Sequence, residues 1–82
     1  MKRLTIQELA DSAAMSVDDV RATLVHGWTA RLLALAGGVS GAYFRKELAA
    51  RRVPGTKVGT TWIIPREFGD AWLQKRDIAF EE

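Results

Sequence analysis

The side chains best suited to chemistry lie in the middle of the chain, on one predicted helix. Arg45 and Lys46 precede Arg51 and Arg52, and Glu47 is the only carboxylate among them. The guanidinium of Arg45 has a planar fork of donors that fits the acceptor edge of guanine, and the ammonium of Lys46 can contact a base or a phosphate. These groups are donors rather than nucleophiles, so the chemistry that they predict is recognition of a polyanion.

Helical spacing divides this helix into two faces. Phe44 and Leu48 predict its buried side, which the aliphatic stem of Arg51 extends. The residues expected to enter a DNA major groove lie opposite: Gly41, Ala42, Arg45, Lys46 and Ala49. Small residues allow close approach there, and an alanine methyl can meet the methyl of thymine. The residues expected to bind phosphates, which position a protein without reading sequence, are Ser40, Arg51, Arg52 and Arg66.

Charge is distributed unevenly, although the net charge is only +2. Residues 5–30 carry four carboxylates and one arginine, whereas residues 40–66 carry six cations and one carboxylate. Such asymmetry is expected when one face of a domain meets a polyanion. An ordinary solvated helix face would carry similar charges, but the hairpin predicted after this helix favours the binding interpretation.

Composition excludes several classes of protein and site. Without cysteine, the chain forms no disulfide and no thiolate zinc site, and His26 alone builds no multi-histidine metal site. No glycine-rich phosphate loop precedes a helix in a βαβ unit, and there is no cysteine nucleophile. No apolar run approaches the roughly 18 residues of a membrane helix, and the start lacks the apolar core of a signal peptide. We therefore expect a cytoplasmic protein that is not an enzyme, with no catalytic residue, metal, cofactor or membrane contact.

The local signals place five helices and one hairpin. Helices are predicted over 5–14, 17–26, 30–36, 40–52 and 66–76, with strands over 56–58 and 62–64. The predicted N-caps are Thr5, Ser16, Thr29 and Ser40, and Gly27 is the predicted C-cap of the second helix. Trp28, Trp62 and Trp72 are expected in the core, and residues 77–82 show no clear element.

The first helix pair aligns with the second when the chain is shifted so that Leu9 falls on Leu33. Ala34, Gly38, and Val39 with Phe44 supply the small crossing residue, the turn glycine and the apolar anchor of a helix-turn-helix. The hairpin residues Lys57, Gly59, Thr60 and Thr61 would form its wing. The predicted fold is mainly α with a small β-hairpin wing, as one domain: an N-terminal helix-turn-helix-like unit (5–28), a winged helix-turn-helix (29–76) and a tail (77–82).

Five stretches of the sequence resemble a known family: 33–40, 44–48, 52–59, 62–67 and 71–73. They are similar to the excisionase/MerR-type winged helix-turn-helix, found in small DNA-bending proteins of temperate phages and in related regulators. The resemblance implies that the fourth helix enters the major groove while the hairpin, flanked by Lys57 and Arg66, follows the neighbouring backbone or minor groove. Family wings often carry arginine at the tip, whereas this one has Thr60 and Thr61, so its wing contacts are expected to be weaker.

The resemblance further implies an architectural role. Excisionases occupy adjacent DNA sites cooperatively, bend the duplex and direct an integrase toward excision in the nucleoid of a bacterial host. MerR-type regulators have a dimerisation helix and an effector domain after the winged helix, and this chain ends soon after Leu73, so no small-molecule ligand is expected. Three alternatives remain open: a compact Cro-like transcriptional repressor, the DNA-binding domain of a small terminase subunit, and a winged helix that binds protein.

The first helix pair is less suited to DNA, because its outward face would present Asp18, Arg21 and Ala22 with Asp19 nearby. Carboxylates facing phosphates are repelled, so a scaffold or protein-contact role is expected for it. A hypothetical head-to-tail contact places Ile78 and Phe80 of one copy on the acidic unit of the next. A tail that packs on its own domain, or stays disordered, is the alternative.

Overall fold

The computed structural model describes residues 1–82, and four of its five helices begin at a hydroxyl side chain. These helices are α1 (Ile6–Ala13), α2 (Val17–Leu24), α3 (Ala30–Gly37) and α4 (Gly41–Ala49). Thr5, Ser16, Thr29 and Ser40 each accept a hydrogen bond from the backbone N–H three residues later, as predicted. Glu8 accepts in return from the N–H of Thr5, which completes a capping box and holds the pKa of Glu8 below its ordinary value.

The predicted hairpin is present and belongs to a three-stranded antiparallel sheet. Strands β3 (Thr56–Val58) and β4 (Thr61–Ile64) pair through a tight turn, followed by the last helix, α5 (Arg66–Lys75). A two-residue strand, β2 (Trp28–Thr29), pairs with the other edge of β4, so the strand order is β2-β4-β3. No local signal predicts β2, because its pairing partner β4 follows only after two intervening helices. The architecture is thus mainly helical with small sheets.

The tail is ordered, contrary to the prediction that it has no clear element. Strand β5 (Ile78–Glu81) runs parallel to β1 (Lys2–Thr5), with Leu4 opposite Phe80. Ile78 is buried in the same core as Leu4, and Phe80 packs against it. The head-to-tail contact through Ile78 and Phe80 is therefore not proposed further, because both side chains are occupied within their own chain.

Truncating Ile78 to alanine is expected to lower the free energy of unfolding by about 2–4 kcal/mol, since a buried aliphatic side chain leaves a cavity between the terminal strands and the core. Glu81→Ala is the matched control in the same strand. It removes only an exposed ion pair with Arg3, which contributes less than about 1 kcal/mol. Chemical denaturation measures both variants, and equal losses would contradict the packing of β5.

The core is centred on Trp28, which is fully buried where the two helix pairs meet α5. Its indole N–H donates to Asp70 at 2.9 Å, and its ring meets Phe80 edge-on at 5.1 Å between centroids. Trp72 makes a similar edge contact with Phe44, at 4.8 Å. Trp28 is thus a core residue at the junction, as expected, while Trp62 and Trp72 are half-buried against the same cluster.

The two helix pairs repeat each other at the predicted offset. Both first helices have eight residues and end at a residue in the left-handed region, Ala14 in one pair and Gly38 in the other. The same turn hydrogen bond follows, from Met15 N–H to Ala10 O and from Val39 N–H to Ala34 O, each 3.0 Å long. Each pair also follows a short strand, so the repeated unit is strand, helix, turn and helix.

Two predicted helix ends are wrong. Helix α2 stops at Leu24 with Val25 as its cap, so Gly27 is not a C-cap. Gly27 instead has φ of 132° and lies so close to β4 that a Cβ there would stand 2.5 Å from Ile64 O. Helix α4 stops at Ala49, and Arg51 beyond it takes the left-handed region with φ of 60°. The side chain of Arg51 is therefore exposed and does not extend the buried face of α4.

Candidate nucleic-acid interface

The exposed face of α4 consists of the residues that helical spacing placed there. Phe44 and Leu48 are buried, and their burial fixes the rotation of the helix against the core. The side chains turned to solvent are Ala42, Arg45, Lys46 and Ala49, with Gly41 half-exposed at the start of the helix. The first turn of α4 carries the small residues Gly41 and Ala42 together with the exposed Tyr43, and the cations stand one turn later.

Three of the four cations on and after α4 have no carboxylate partner. Arg45, Lys46 and Arg51 form no ion pair, whereas Arg52 donates to Glu47. The hydrogen bond and the charge of Glu47 raise the pKa of Arg52 above its ordinary value. The guanidinium of Arg52 is thus already occupied, while the other three cations are free for an external anion.

A cleft of about 330 Å³, here called the hairpin cleft, joins α4 to the hairpin. Its polar lining residues are Thr29, Arg31, Arg45, Thr60 and Thr61. A Cβ added at Gly41 would lie 3.7 Å from Nη1 of Arg45, so this guanidinium lies along the first turn of α4. The structure therefore brings the predicted helix residues Gly41 and Arg45 together with the predicted wing residues Thr60 and Thr61.

A larger groove of about 1450 Å³, here called the outer groove, lies on the other side of the hairpin. It runs between the ends of α2 and α4, and its charged or titratable lining residues are His26 and Arg51. Its other polar residues are threonines, and its floor is mainly apolar. Neither the hairpin cleft nor the outer groove is lined by a single aspartate or glutamate, although the chain has ten. The surface around the hairpin is therefore suited to an anion.

Three further predicted site residues, Arg66, Lys57 and Ser40, make contacts within the chain, and a fourth, Gly59, has a turn conformation. Arg66 donates to Asp70 at 3.0 Å and to Glu82 at 3.3 Å, and its guanidinium lies over the rings of Trp28 and Phe80. Partial burial opposes its charge, but Asp70 and Glu82 raise its pKa above the ordinary value. The ammonium of Lys57 lies 5.8 Å from the ring centre of Trp62. Ser40 caps α4, and Gly59 turns the hairpin with φ of 63°.

Two cleft residues were missed by sequence reasoning. Arg31 lines the hairpin cleft beside Arg45, and it also donates at 2.8 Å to the carbonyl oxygen of Ala13, the last residue of α1. His26 is exposed and lines the outer groove. Neither position carries a local signal, because each reaches its cleft through the packing of the first helix pair on the second. Tyr43 was also omitted, although it is exposed on α4 and packs edge-on against Phe44.

Arg51→Gly is expected to raise the free energy of unfolding by about 1 kcal/mol, because a side chain in the left-handed region is strained and glycine relieves that strain. If the surface binds DNA, as the sequence predicts, the same change is expected to weaken binding of a duplex, since a free cation is lost. Ala14→Gly, just after α1, is the control, because Ala14 also takes the left-handed region, with φ of 56°. Thermal melts and duplex titrations compare the two variants. If both variants changed DNA affinity equally, Arg51 would not contact the duplex. If neither variant stabilised the fold, the two positions would not be strained.

Comparison of the chain with family models, curated proteins and solved structures finds no match. No three histidine, aspartate or glutamate side chains come close enough together to hold a metal ion. None of the five helices has the length and apolar content that crossing a membrane requires.

Proposed function

We propose that this protein binds double-stranded DNA as a winged helix-turn-helix, with α4 in the major groove and the β3–β4 hairpin along the adjacent backbone. The observation that carries the proposal is that Arg45, Lys46 and Arg51 form no ion pair, and that the two clefts lined by Arg45 and Arg51 contain no carboxylate. Free donors on an exposed helix face suit base edges and phosphates, and the absence of carboxylates from the two clefts removes the repulsion that a polyanion would meet there.

The order of elements supports this proposal. A short strand, two helices joined by a turn, and a hairpin that pairs back onto the short strand follow one another from β2 to β4. The turn contains Gly38 in the left-handed region, the conformation that the sequence required of it. In this arrangement β4 pairs with β2 just ahead of α3, which holds the hairpin beside α4. The resemblance to excisionase and MerR-type regulators rests on the same segment.

The proposed contacts with DNA are of two kinds: contacts that recognise bases and contacts that position the protein on the phosphate backbone. Arg45 has the donor geometry to read guanine, with Ala42 and Ala49 allowing the helix to approach. Lys46 and Arg51 are placed to bind phosphates, and Thr60 and Thr61 offer hydroxyl donors to the neighbouring backbone. Arg52 and Arg66 keep their intramolecular carboxylates and contribute mainly to the fold.

Within this proposal the biological role is that of an excisionase-type architectural factor. Bending a DNA site costs about 1–6 kcal/mol by elastic estimates, which protein contacts must offset. A chain of 82 residues offers a small contact surface, so several protomers on adjacent sites would share the cost of bending. The proposed partners are double-stranded DNA and an integrase that the bent DNA directs toward excision.

Selection of bound duplexes from a randomised pool, followed by titration of the enriched sites at several salt concentrations, tests the proposal. Short sites repeated at constant spacing are expected, with affinity that falls linearly on a logarithmic salt scale. A palindromic site would replace the architectural role by that of a symmetric repressor. No enrichment together with no salt-dependent binding would overturn DNA binding altogether.

A further inference from the structure

Tyr43 is the only large hydrophobic side chain exposed on α4. It is 41% exposed, whereas Phe44 and Leu48 on the same helix are buried. Two contacts fix its position: its backbone N–H donates to the hydroxyl of Ser40 at 3.2 Å, and its ring meets Phe44 edge-on at 5.2 Å between centroids. A ring that is already held in place loses little conformational freedom when a ligand covers it. Tyr43 is therefore suited to contact the ligand of α4.

Helical geometry places Tyr43 and Arg45 on opposite borders of the exposed face of α4. Successive residues of an α-helix are rotated by about 100°, so about 160° of exposed surface separates these two side chains, with Ala42 between them. The hairpin cleft is lined by Arg45 and not by Tyr43. Arg45 therefore marks the border next to the hairpin, and Tyr43 marks the border turned away from it.

The two borders of a helix in the major groove face different strands of the duplex. The groove is about 12 Å wide, and a helix with its side chains is about 10–12 Å across, so the helix fills the groove. With α4 in that place, Arg45 meets the strand nearer the hairpin and Tyr43 meets the opposite strand. The ring of Tyr43 offers carbon surface, and the apolar group that base pairs present in this groove is the C5-methyl of thymine.

We propose that α4 selects DNA sites in which a thymine on one strand lies close to a guanine on the other, with the thymine methyl packed against the ring of Tyr43. This inference rests on the proposed function and names the base pairs that it requires. Tyr43 and Arg45 are about 3 Å apart along the helix axis, and stacked bases are about 3.4 Å apart, so the thymine lies within about two base pairs of the guanine. The small side chain of Ala42 leaves room for the methyl group.

Replacing single thymines of an enriched duplex by deoxyuridine tests the contact, because uracil lacks only the methyl group. One such replacement near the guanine is expected to weaken binding of the wild-type chain by about three- to fivefold, the effect of leaving one methyl uncovered. Since the contact is apolar, this ratio is expected to be the same at low and high salt.

Three variants assign the methyl contact to Tyr43, with affinities measured by fluorescence anisotropy. Tyr43→Ala is expected to bind the thymine and uracil duplexes equally, because the two changes remove the same contact. Tyr43→Phe keeps the ring and is expected to retain the full preference for thymine. Val25→Ala, which truncates an exposed apolar side chain outside α4 and both clefts, is the control and is also expected to retain it.

A wild-type chain that binds the uracil and thymine duplexes equally at every position would overturn the methyl contact, and this comparison needs no variant to fold. If Tyr43→Phe lost as much affinity as Tyr43→Ala, the hydroxyl would contact a phosphate and the methyl contact would be wrong. Failure of the proposed function gives a different pattern, in which no duplex is enriched and binding does not depend on salt. If duplexes are enriched without a thymine near the guanine, the thymine contact alone is wrong.

Discussion

Replacing Arg45 and Lys46 together by alanine is expected to weaken binding of an enriched duplex by about 2–4 kcal/mol. A bidentate contact to guanine contributes about 1–3 kcal/mol of discrimination, and a phosphate contact adds an electrostatic part that salt screens. Both side chains are exposed and unpaired, so their removal leaves no buried group without a partner. Fluorescence anisotropy at fixed ionic strength measures the loss, and the salt slope is expected to become shallower by about 1 for each phosphate contact removed.

The matched control is Lys2→Ala with Lys75→Ala, which removes the same charge from exposed positions outside both clefts. The control is expected to reduce affinity only slightly and equally for all sequences. Arg45→Lys distinguishes base recognition from electrostatic attraction to the DNA, because lysine keeps the charge but lacks the planar fork of donors. It is expected to retain the salt slope and lose preference at one base pair. Equal effects of the control and the α4 variant would contradict the proposed interface.

Gly69→Ala is expected to lower the free energy of unfolding by about 3 kcal/mol or more, although alanine is the better helix former. A Cβ at this position of α5 would overlap Cδ1 of Trp28 and stand 2.8 Å from its Cγ. The indole of Trp28 cannot move aside, because it is fully buried and its N–H is bound to Asp70. Overpacking of this kind usually costs about 1–3 kcal/mol, and a rigid neighbour places it at the upper end of that range or beyond.

Gly41→Ala is the comparison for this variant, because the nearest atom to a Cβ there is Nη1 of Arg45 at 3.7 Å, which is ordinary contact. It is expected to leave stability unchanged or raise it by up to about 1 kcal/mol, through the higher helix propensity of alanine. Chemical denaturation measures the free energy of unfolding of both variants. If Gly69→Ala were as stable as Gly41→Ala, α5 would not lie against Trp28 as the structure shows.

Interactions between residues close in the sequence made much of this fold predictable. The four hydroxyl caps act only on the backbone three residues ahead, so Thr5 and Ser40 predict the start of their helices without help from the rest of the chain. The faces of α4 follow from the helical period, because Phe44 and Leu48 are one turn apart and both reach the core. The hairpin follows from β-branched residues around Gly59.

Features that depend on distant residues were not predictable. The pairing of β1 with β5 joins opposite ends of the chain, and neither strand has enough alternation to be recognised by itself. Arg66 was predicted to bind phosphate; its partner Asp70 lies one turn later in the same helix and could have been recognised, whereas its second partner, Glu82, lies in the tail that was predicted without structure. The outer groove depends on the docking of the first helix pair on the second, which no local spacing contains.

The parallel pairing of β1 with β5 has a kinetic consequence. These strands hold the two ends of the sequence side by side, with Leu4 and Ile78 in one core, so the native state closes a loop that spans nearly the whole chain. Contacts of such long range raise the contact order and slow folding, and they form only after residue 81 has been synthesised. The two helix pairs are therefore expected to unfold as one cooperative unit, with amide hydrogens of α1 and α4 exchanging at the global rate.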